Sequence, residues 1–162
     1  MALKPVILLH DLDNRMVDRW ARLIGESGRY ATINTYNETH AREAIRQYNR
    51  GFGLLTNRLA CLITGWNSHR RPAEQLLFRL RREERRSPLR RPTPVIVITE
   101  DHRRDLKTEA LDPEHGRASA YLDADDFENT LVNLLDRIVF EQGAAELNSI
   151  AYARLRRDSR PV

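Results

Sequence analysis

Several features are scarce or missing in this sequence of 162 residues, and each absence excludes a class of protein. The single cysteine, Cys61, excludes an intramolecular disulfide and favours a cytoplasmic location. No apolar run reaches the roughly 20 residues of a membrane-spanning helix, and the first residues lack the pattern of a signal peptide. We therefore expect a cytoplasmic protein that does not enter a membrane.

Lysine is nearly absent, because Lys4 and Lys107 are the only lysines among 27 basic residues. A second gap is the lack of any carboxylate from Asn57 to Ala73, a stretch that contains the sequence LITGWNSHRRP. The sequence also contains no GxGxxG, Walker or GxSxG motif. The chain therefore lacks the usual loops that bind nucleotides or present a catalytic serine.

The composition is that of an ordinary globular protein. Hydrophobic residues make up 41% of the chain and charged residues 31%, with a formal net charge of +4. This length is sufficient for one domain with a well-developed core and too short for two.

Short apolar runs alternate with longer amphipathic stretches along the chain. The runs predict strands over residues 6–10, 30–36, 59–64, 94–99 and 118–122. Helical spacing follows each run. It is strongest from Asp125 onward, and residues 144–157 predict one more helix beyond Gly143. Five strands, each followed by a helix, predict a parallel sheet with helices on both faces.

Capping residues, glycines and prolines predict where these helices begin and end. Gly28 is expected to end the first helix, and Asn37 or Thr39 to cap the second. GFG at 51–53 predicts a break, and Pro72 suits the first turn of the third helix.

The predicted fold is an α/β, flavodoxin-like, doubly wound sheet of five parallel strands in the order 2-1-3-4-5, with an extended C-terminal helix. Residues 1–140 are expected to form the domain, and residues 141–162 a helical extension or linker. Functional groups in such sheets lie at the carboxyl ends of the strands. His10, Gly65 and Thr99 stand at those ends.

Residues 4–140 resemble the receiver domain of bacterial response regulators. VILLHD places His10 and Asp11 at the acidic pair of that family, and PVIVITE places Thr99 at its hydroxyl position. ASAYL places Tyr121 where the family often has a switch aromatic. The resemblance implies a regulatory domain of signal transduction or transcriptional control, rather than an enzyme.

Two departures from the family concern its chemistry. LITG places Gly65 at the phosphoacceptor position, and YLDAD places Ala124 where the lysine would stand. Phosphoryl transfer to a carboxylate needs the nucleophile, a Mg²⁺ ion and a cation, and an imidazole at position 10 suits Mg²⁺ poorly. We therefore expect a pseudo-receiver that is not phosphorylated and holds no metal or cofactor. Its vestigial pocket consists of His10, Asp11, Gly65, Thr99 and Ala124.

Removal of the phosphoacceptor side chain is expected to leave room beside Gly65, and the sequence leaves open whether a small molecule fills it. Asp11 and Asp13 favour helix capping over a residual metal site. Cys61 favours a buried structural role over a role in zinc binding or nucleophilic catalysis.

The C-terminal extension predicts a contact with another molecule. Its apolar residues share one side of a helix, which favours packing against a second copy over packing on its own domain. The predicted interaction face consists of Tyr121, Phe127, Leu147, Ile150 and Leu155. The expected partner is a second copy of the chain, a regulatory protein or a fused output domain.

Alternative interpretations stay open at this point. VIVITEDHRRD followed by YLDADDFENTLVNLL is also similar to the receiver-like N-terminal wing domain of bacterial amino-acid decarboxylases, which serves assembly. A small-molecule- or nucleotide-binding enzyme that uses His10, Asp11, Asp13 and Thr99 is the less favoured reading. The segment 79–91 contains seven arginines, but the acidic residues between them favour a solvated helix end over nucleic-acid binding.

Overall fold

Five short strands form one parallel sheet at the centre of the fold. They are β1 (Val6–His10), β2 (Ala31–Thr35), β3 (Leu59–Thr64), β4 (Val95–Thr99) and β5 (Ala120–Asp123). Their order is β2-β1-β3-β4-β5, and each neighbouring pair is parallel. The structure is a computed structural model that describes residues 3–49, 58–87, 89 and 91–160. It confirms the predicted flavodoxin-like fold, while the predicted break at 51–53 lies outside the described residues.

Helices connect and flank the strands. They are α1 (Asn14–Ser27), α2 (Glu38–Asn49), α3 (Leu76–Arg85), α4 (Arg104–Leu111), α5 (Leu131–Val139) and α6 (Ala144–Asp158), with a 3-10 turn at Pro72–Glu74. In the described ranges, no helix is both long and apolar enough to span a bilayer.

The sheet is covered on both faces, which explains why its strands read as continuous apolar runs. Ile7 and Leu9 point to a core that α1 and α5 complete, whereas Leu8 points to a second core with α2, α3 and α4. All five residues of β4 are buried, as expected for a strand inside such a sheet.

Helix ends follow the capping residues of the sequence. Gly28 adopts a left-handed conformation (φ 72°) and its N–H bonds to the Gly25 carbonyl, which ends α1 as predicted. The side chain of Asn37 accepts a hydrogen bond from the His40 N–H at 2.9 Å. Asn37, rather than Thr39, therefore caps α2.

Two predicted helix starts are wrong. Pro72 begins a separate 3-10 turn, and α3 starts only at Leu76. The fifth helix begins at Leu131 instead of Asp125. Phe127 is buried in the turns that precede α5, so the apolar spacing there reflects burial of a turn residue and not helix.

The extension forms α6, which packs on its own domain against β5, α4 and α5. Leu147 is buried, and Ala151 and Leu155 pack against the core of the α4 side. The buried Asn148 side chain donates hydrogen bonds to the carbonyls of Leu111 (2.8 Å) and Ala118 (2.7 Å). Packing of Leu147, Ala151 and Leu155 against a second copy is therefore a wrong expectation, because these residues pack within the chain, whereas Ile150 stays exposed.

Candidate functional site

The structure brings the predicted pocket residues to one edge of the sheet. His10 ends β1, and its carbonyl accepts a hydrogen bond from the Gly65 N–H (3.1 Å) just after β3. Thr99 ends β4, and its carbonyl accepts a hydrogen bond from the Ala124 N–H (3.1 Å) just after β5. Parallel pairing thus aligns all of these positions at the carboxyl ends of the central strands.

The Asp11 carboxylate occupies the space in which a side chain at position 65 would begin. A Cβ atom placed on Gly65 would lie 2.0 Å from Asp11 Oδ2 and 3.3 Å from the Ile98 carbonyl oxygen. The space directly at Gly65 is therefore taken by Asp11, while the expected room lies beside this pair, where Gly65 borders a cavity. Glycine is the residue that permits the close approach of Asp11.

Hydrogen bonds hold Asp11 in this position. Its Oδ1 accepts the Asp13 N–H at 2.9 Å, and Asp13 in turn caps α1 by accepting the Arg15 N–H at 2.9 Å. Burial raises the pKa of the Asp11 carboxyl, and the neighbouring carboxylates of Asp13 and Glu100 add to the rise. The geometry confirms the capping role of Asp13, and no group of three potential metal ligands is found among the described residues.

His10 is buried at the end of β1, with 7% of its surface exposed. Its Nδ1 lies 3.4 Å from Thr35 Oγ1, whose single proton is donated to the Leu9 carbonyl at 2.7 Å. Thr35 Oγ1 can therefore only accept from the ring, and this contact favours the tautomer with its proton on Nδ1 and an acceptor at Nε2. Burial lowers the pKa of His10, and this favours the neutral ring.

The hydroxyl and cation positions of the site are also altered. Thr99 Oγ1 accepts a hydrogen bond from the Asp101 N–H at 3.0 Å, which turns the chain into α4. Ala124 is buried in the α1–α5 core and supplies no charge. Lys107 lies on α4, with its Nζ 5.7 Å from the centre of the Tyr121 ring. The lysine therefore contacts an aromatic face.

Aromatic residues connect the loops around the site. Trp66 stacks on Phe78 with 5.9 Å between ring centres, and its Nε1 donates to Tyr121 Oη at 2.9 Å. Tyr121 Oη in turn donates to the Asp101 carbonyl at 2.5 Å. This chain of contacts ties the β3–α3 loop, β5 and the β4–α4 loop together, and Tyr121 is half-buried in it.

The predicted interaction face is largely buried. Phe127 is 1% exposed in the core, Leu147 is buried, and Leu155 packs on the domain. Ile150 keeps 42% of its surface exposed on the outer side of α6. The face of α4, β5 and α5 is thus covered by α6, which corrects the assignment of Phe127, Leu147 and Leu155 to an exposed contact surface.

Cys61 lies in β3 and is fully buried. Burial raises the pKa of its thiol to about 12. The thiol is therefore protonated at neutral pH, in agreement with the predicted structural role.

Sequence reasoning missed two buried polar residues that organise this side of the protein. Gln75 accepts the Asn67 N–H at 2.9 Å and donates to the carbonyls of Asn67 (2.7 Å) and Arg70 (3.2 Å), which fixes the β3–α3 loop. Arg81 is buried within α3, so the predicted solvated helix end is wrong at this residue. The only sequence signal for this burial is spacing: Arg81 follows Leu77 by four residues and therefore lies on the same face of α3, unlike the neighbouring arginines.

A double-mutant cycle tests the packing of Asp11 against Gly65. We expect Gly65→Ala to destabilise the protein by about 1–2 kcal/mol, because the Asp11 carboxylate must turn away and lose its bond to Asp13 N–H. In an Asp11→Ala background the same change becomes neutral or slightly favourable. Chemical denaturation measures all four proteins.

The matched control for this cycle is Gly25→Ala, since nothing lies within 4 Å of a Cβ atom at that helical position. This change is expected to stabilise the protein by about 0.5–1 kcal/mol through helix propensity alone. Equal costs of Gly65→Ala with and without Asp11 would contradict the proposed packing.

Comparison with solved structures identifies proteins with the same fold. A signal receiver domain of an HD domain-containing protein from Pseudomonas fluorescens Pf-5 aligns with 20% identity and a TM-score of 0.64, over 86% of this chain and 97% of the other. A CheY-like response regulator receiver domain from Methanospirillum hungatei JF-1 aligns with 16% identity and a TM-score of 0.63, over 86% and 97%. The RcsB response regulator of Salmonella typhimurium aligns with 12% identity and a TM-score of 0.63, over 97% of this chain and 71% of RcsB.

Comparison with protein-family models and with curated proteins finds no match. The structural likeness, at identities of 12–20%, concerns the backbone arrangement and not the chemistry of the site. The chain has the fold of response regulator receiver domains.

Proposed function

We propose that this chain is a receiver-like regulatory domain that acts without being phosphorylated and without enzymatic activity of its own. The observation that carries the proposal is the pair formed by Gly65 and Asp11. A glycine replaces the nucleophile, and the Asp11 carboxylate fills the space that a nucleophilic side chain would need. The covalent step of receiver chemistry therefore has no acceptor group at position 65.

The groups around this pair support the same proposal. Mg²⁺ prefers several oxygen ligands in octahedral geometry, but His10 offers a neutral imidazole and Gly65 offers no side chain. Ala124 carries no charge to pair with a phosphoryl group, and Thr99 is bonded to the backbone of its own loop. We infer that the domain needs neither a metal nor a cofactor for its role.

The proposed mode of action is contact with other proteins. RcsB, a response regulator described in connection with DNA interaction, is aligned over 71% of its length, which leaves part of RcsB outside the likeness. This favours an output domain fused to the present chain, or a separate regulatory partner, as the recipient of the signal. Homodimerisation is part of the proposal, but the contact must use surface outside the stripe that α6 buries.

The first experiment asks whether the domain accepts a phosphoryl group. After incubation with acetyl phosphate and Mg²⁺, we expect intact-mass spectrometry to show no adduct. Beryllofluoride with Mg²⁺ is expected to leave the fluorescence of Trp66 unchanged. A receiver domain with an aspartate at the acceptor position, treated in parallel, serves as the positive control. A saturable Mg²⁺-dependent adduct would overturn the proposal, because some other acid would then accept the group.

Light scattering on the same samples tests the dimer part of the proposal. A dimer mass that does not change with acetyl phosphate is the expected result. A monomer mass would remove homodimerisation and leave a fused output domain or a different protein as the partner. The wing-domain alternative is distinguished by whether the gene encodes a contiguous decarboxylase catalytic domain.

A further inference from the structure

A cavity of about 270 Å³ opens beside the Gly65–Asp11 pair. It lies between the carboxyl end of β1, the first turn of α2 and the loop that leads from β3 to α3. Ligands of doubly wound sheets bind outside the carboxyl ends of the strands, near the point where the strand order reverses. That reversal occurs here at β1 and β3, so the cavity lies where the fold places ligands.

The charge of the cavity lining is negative although the whole chain is positive. Three carboxylates line it, on Asp11, Glu38 and Glu74, and one guanidinium, on Arg70, which gives a formal charge of −3 + 1 = −2 with His10 neutral. The net charge of the chain is +4. Arg70 and, outside the lining, Arg79 both pair with Glu38, so the negative charge that faces the cavity without a salt bridge in the described chain is that of Asp11 and Glu74. A concave, negatively charged lining attracts cations and repels phosphates and carboxylates.

His10 adds an unused acceptor to this lining. The imidazole is more than nine-tenths buried and borders the cavity. Its Nδ1 is directed at Thr35, and Nε2 receives no hydrogen bond from any side chain or backbone group in the described part of the chain. Nε2 is not one of the fully buried atoms that lack a partner, so it is accessible, and a donor in the cavity that His10 borders can bond to it.

The walls of the cavity are fixed before any ligand arrives. Gln75 binds both polar groups of the Asn67 peptide and the Arg70 carbonyl, which holds the β3–α3 loop. Glu38 forms ion pairs with Arg70 and, at 2.7 Å, with Arg79. Preformed walls reduce the free energy that binding would spend on ordering the site.

We propose that this cavity binds a small organic cation with N–H donors, such as a primary amine or a guanidino compound. Its cationic nitrogen would donate to His10 Nε2 and pair with the Asp11 carboxylate. Trp66, which also borders the cavity, would change its fluorescence on binding. The inference stands apart from the proposed regulatory role, because a domain that needs no phosphorylation can exist with or without this ligand.

The test titrates the full chain at low ionic strength with putrescine and agmatine. Their matched controls are 1,4-butanediol, which is neutral, and succinate, which is anionic. We expect both cations to give saturable heat in calorimetry and a saturable change in tryptophan fluorescence. The neutral diol and succinate are expected to give neither. Absence of saturable binding by both cations, or equal binding of the diol, would overturn the inference.

Variants assign the binding to the named groups. Asp11→Asn keeps the shape of the side chain and removes its charge, and we expect the affinity for the cations to fall about tenfold. His10→Ala is expected to have a similar effect, with circular dichroism confirming that the variant is folded. Asp13→Asn is the control, since this carboxylate caps α1 outside the cavity and asparagine caps equally well. If Asp13→Asn and Asp11→Asn weaken binding equally, attraction by the general acidity of the region, and not this site, explains it.

Discussion

Replacement of Arg81 by alanine is expected to lower the free energy of unfolding by about 3–5 kcal/mol, the largest effect of any single arginine in the described chain. The side chain of Arg81 is only 7% exposed. Its Nε donates to the Gly116 carbonyl at 2.7 Å and its Nη1 donates to the Thr93 carbonyl at 2.8 Å. It therefore joins α3 to the segment before β4 and to the segment before β5.

The size of the effect comes from the groups that the substitution leaves behind. Glu84 is 14% exposed and pairs with Arg81 at 2.5 Å, so its carboxylate would remain buried without a counter-charge. The two carbonyls would also lose their donor, and an unsatisfied buried acceptor costs roughly 1–3 kcal/mol. Burial lowers the pKa of Arg81, and the nearby Glu84 carboxylate opposes that shift by stabilising the charged guanidinium.

Equilibrium unfolding in urea measures this prediction, with Arg82→Ala as the matched control. Arg82 is the next residue of the same helix, is exposed, and makes one hydrogen bond to the Ala73 carbonyl. Its removal is expected to cost less than about 1 kcal/mol. Similar costs for the two variants would show that Arg81 contributes no more than a surface arginine and that its network is not formed in solution.

Arg81 also shows that contacts between residues far apart in the chain could not be predicted from the local sequence. The partners of Arg81 at Thr93 and Gly116 are 12 and 35 residues away, and neither carries a recognisable motif. The same holds for Asp11, which follows β1 and contacts Gly65 just after the neighbouring strand β3. Glycine at position 65 predicted the loss of the nucleophile, but the occupant of its space became visible only in three dimensions.

The strands, in contrast, were predictable because a buried parallel strand needs a continuous apolar run whatever its neighbours are. The core of β3 and that of β4 were correctly predicted for this reason. The wrong start of the fifth helix at Asp125 also arises from burial. Phe127 is buried in a turn, and its spacing from the next apolar residues is similar to that on the buried face of a helix. The apolar stripe of α6 was correctly predicted. The surface on which this stripe packs was not, because it depends on the direction in which the turn at Gly143 leads the chain into α6.

The other large effect is expected at Asn148, which fixes α6 to the domain. Asn148→Asp replaces the amide donor with a carboxylate that faces the carbonyls of Leu111 and Ala118. Two buried acceptors lose their donor and a charge is buried without a partner, which costs about 3 kcal/mol or more. This corresponds to a factor of roughly 100 in the equilibrium for opening of α6. Hydrogen exchange should show this loss of protection in α6, while the amides of β1 and β3 stay protected.

Ser149→Asp is the control for this change, because it adds the same charge one residue later at an exposed position. Its effect on exchange in α6 is expected to stay below threefold, since a single surface substitution changes stability by about 0.5 kcal/mol or less. Unchanged protection in Asn148→Asp would contradict the proposed role of the amide. Opening of α6 would remove a helix that packs against β5, and β5 is an edge strand, a position whose outer backbone groups favour pairing with another chain. A larger mass in light scattering for Asn148→Asp alone would therefore place a protein-binding surface beneath α6, and an unchanged mass would place it elsewhere on the domain.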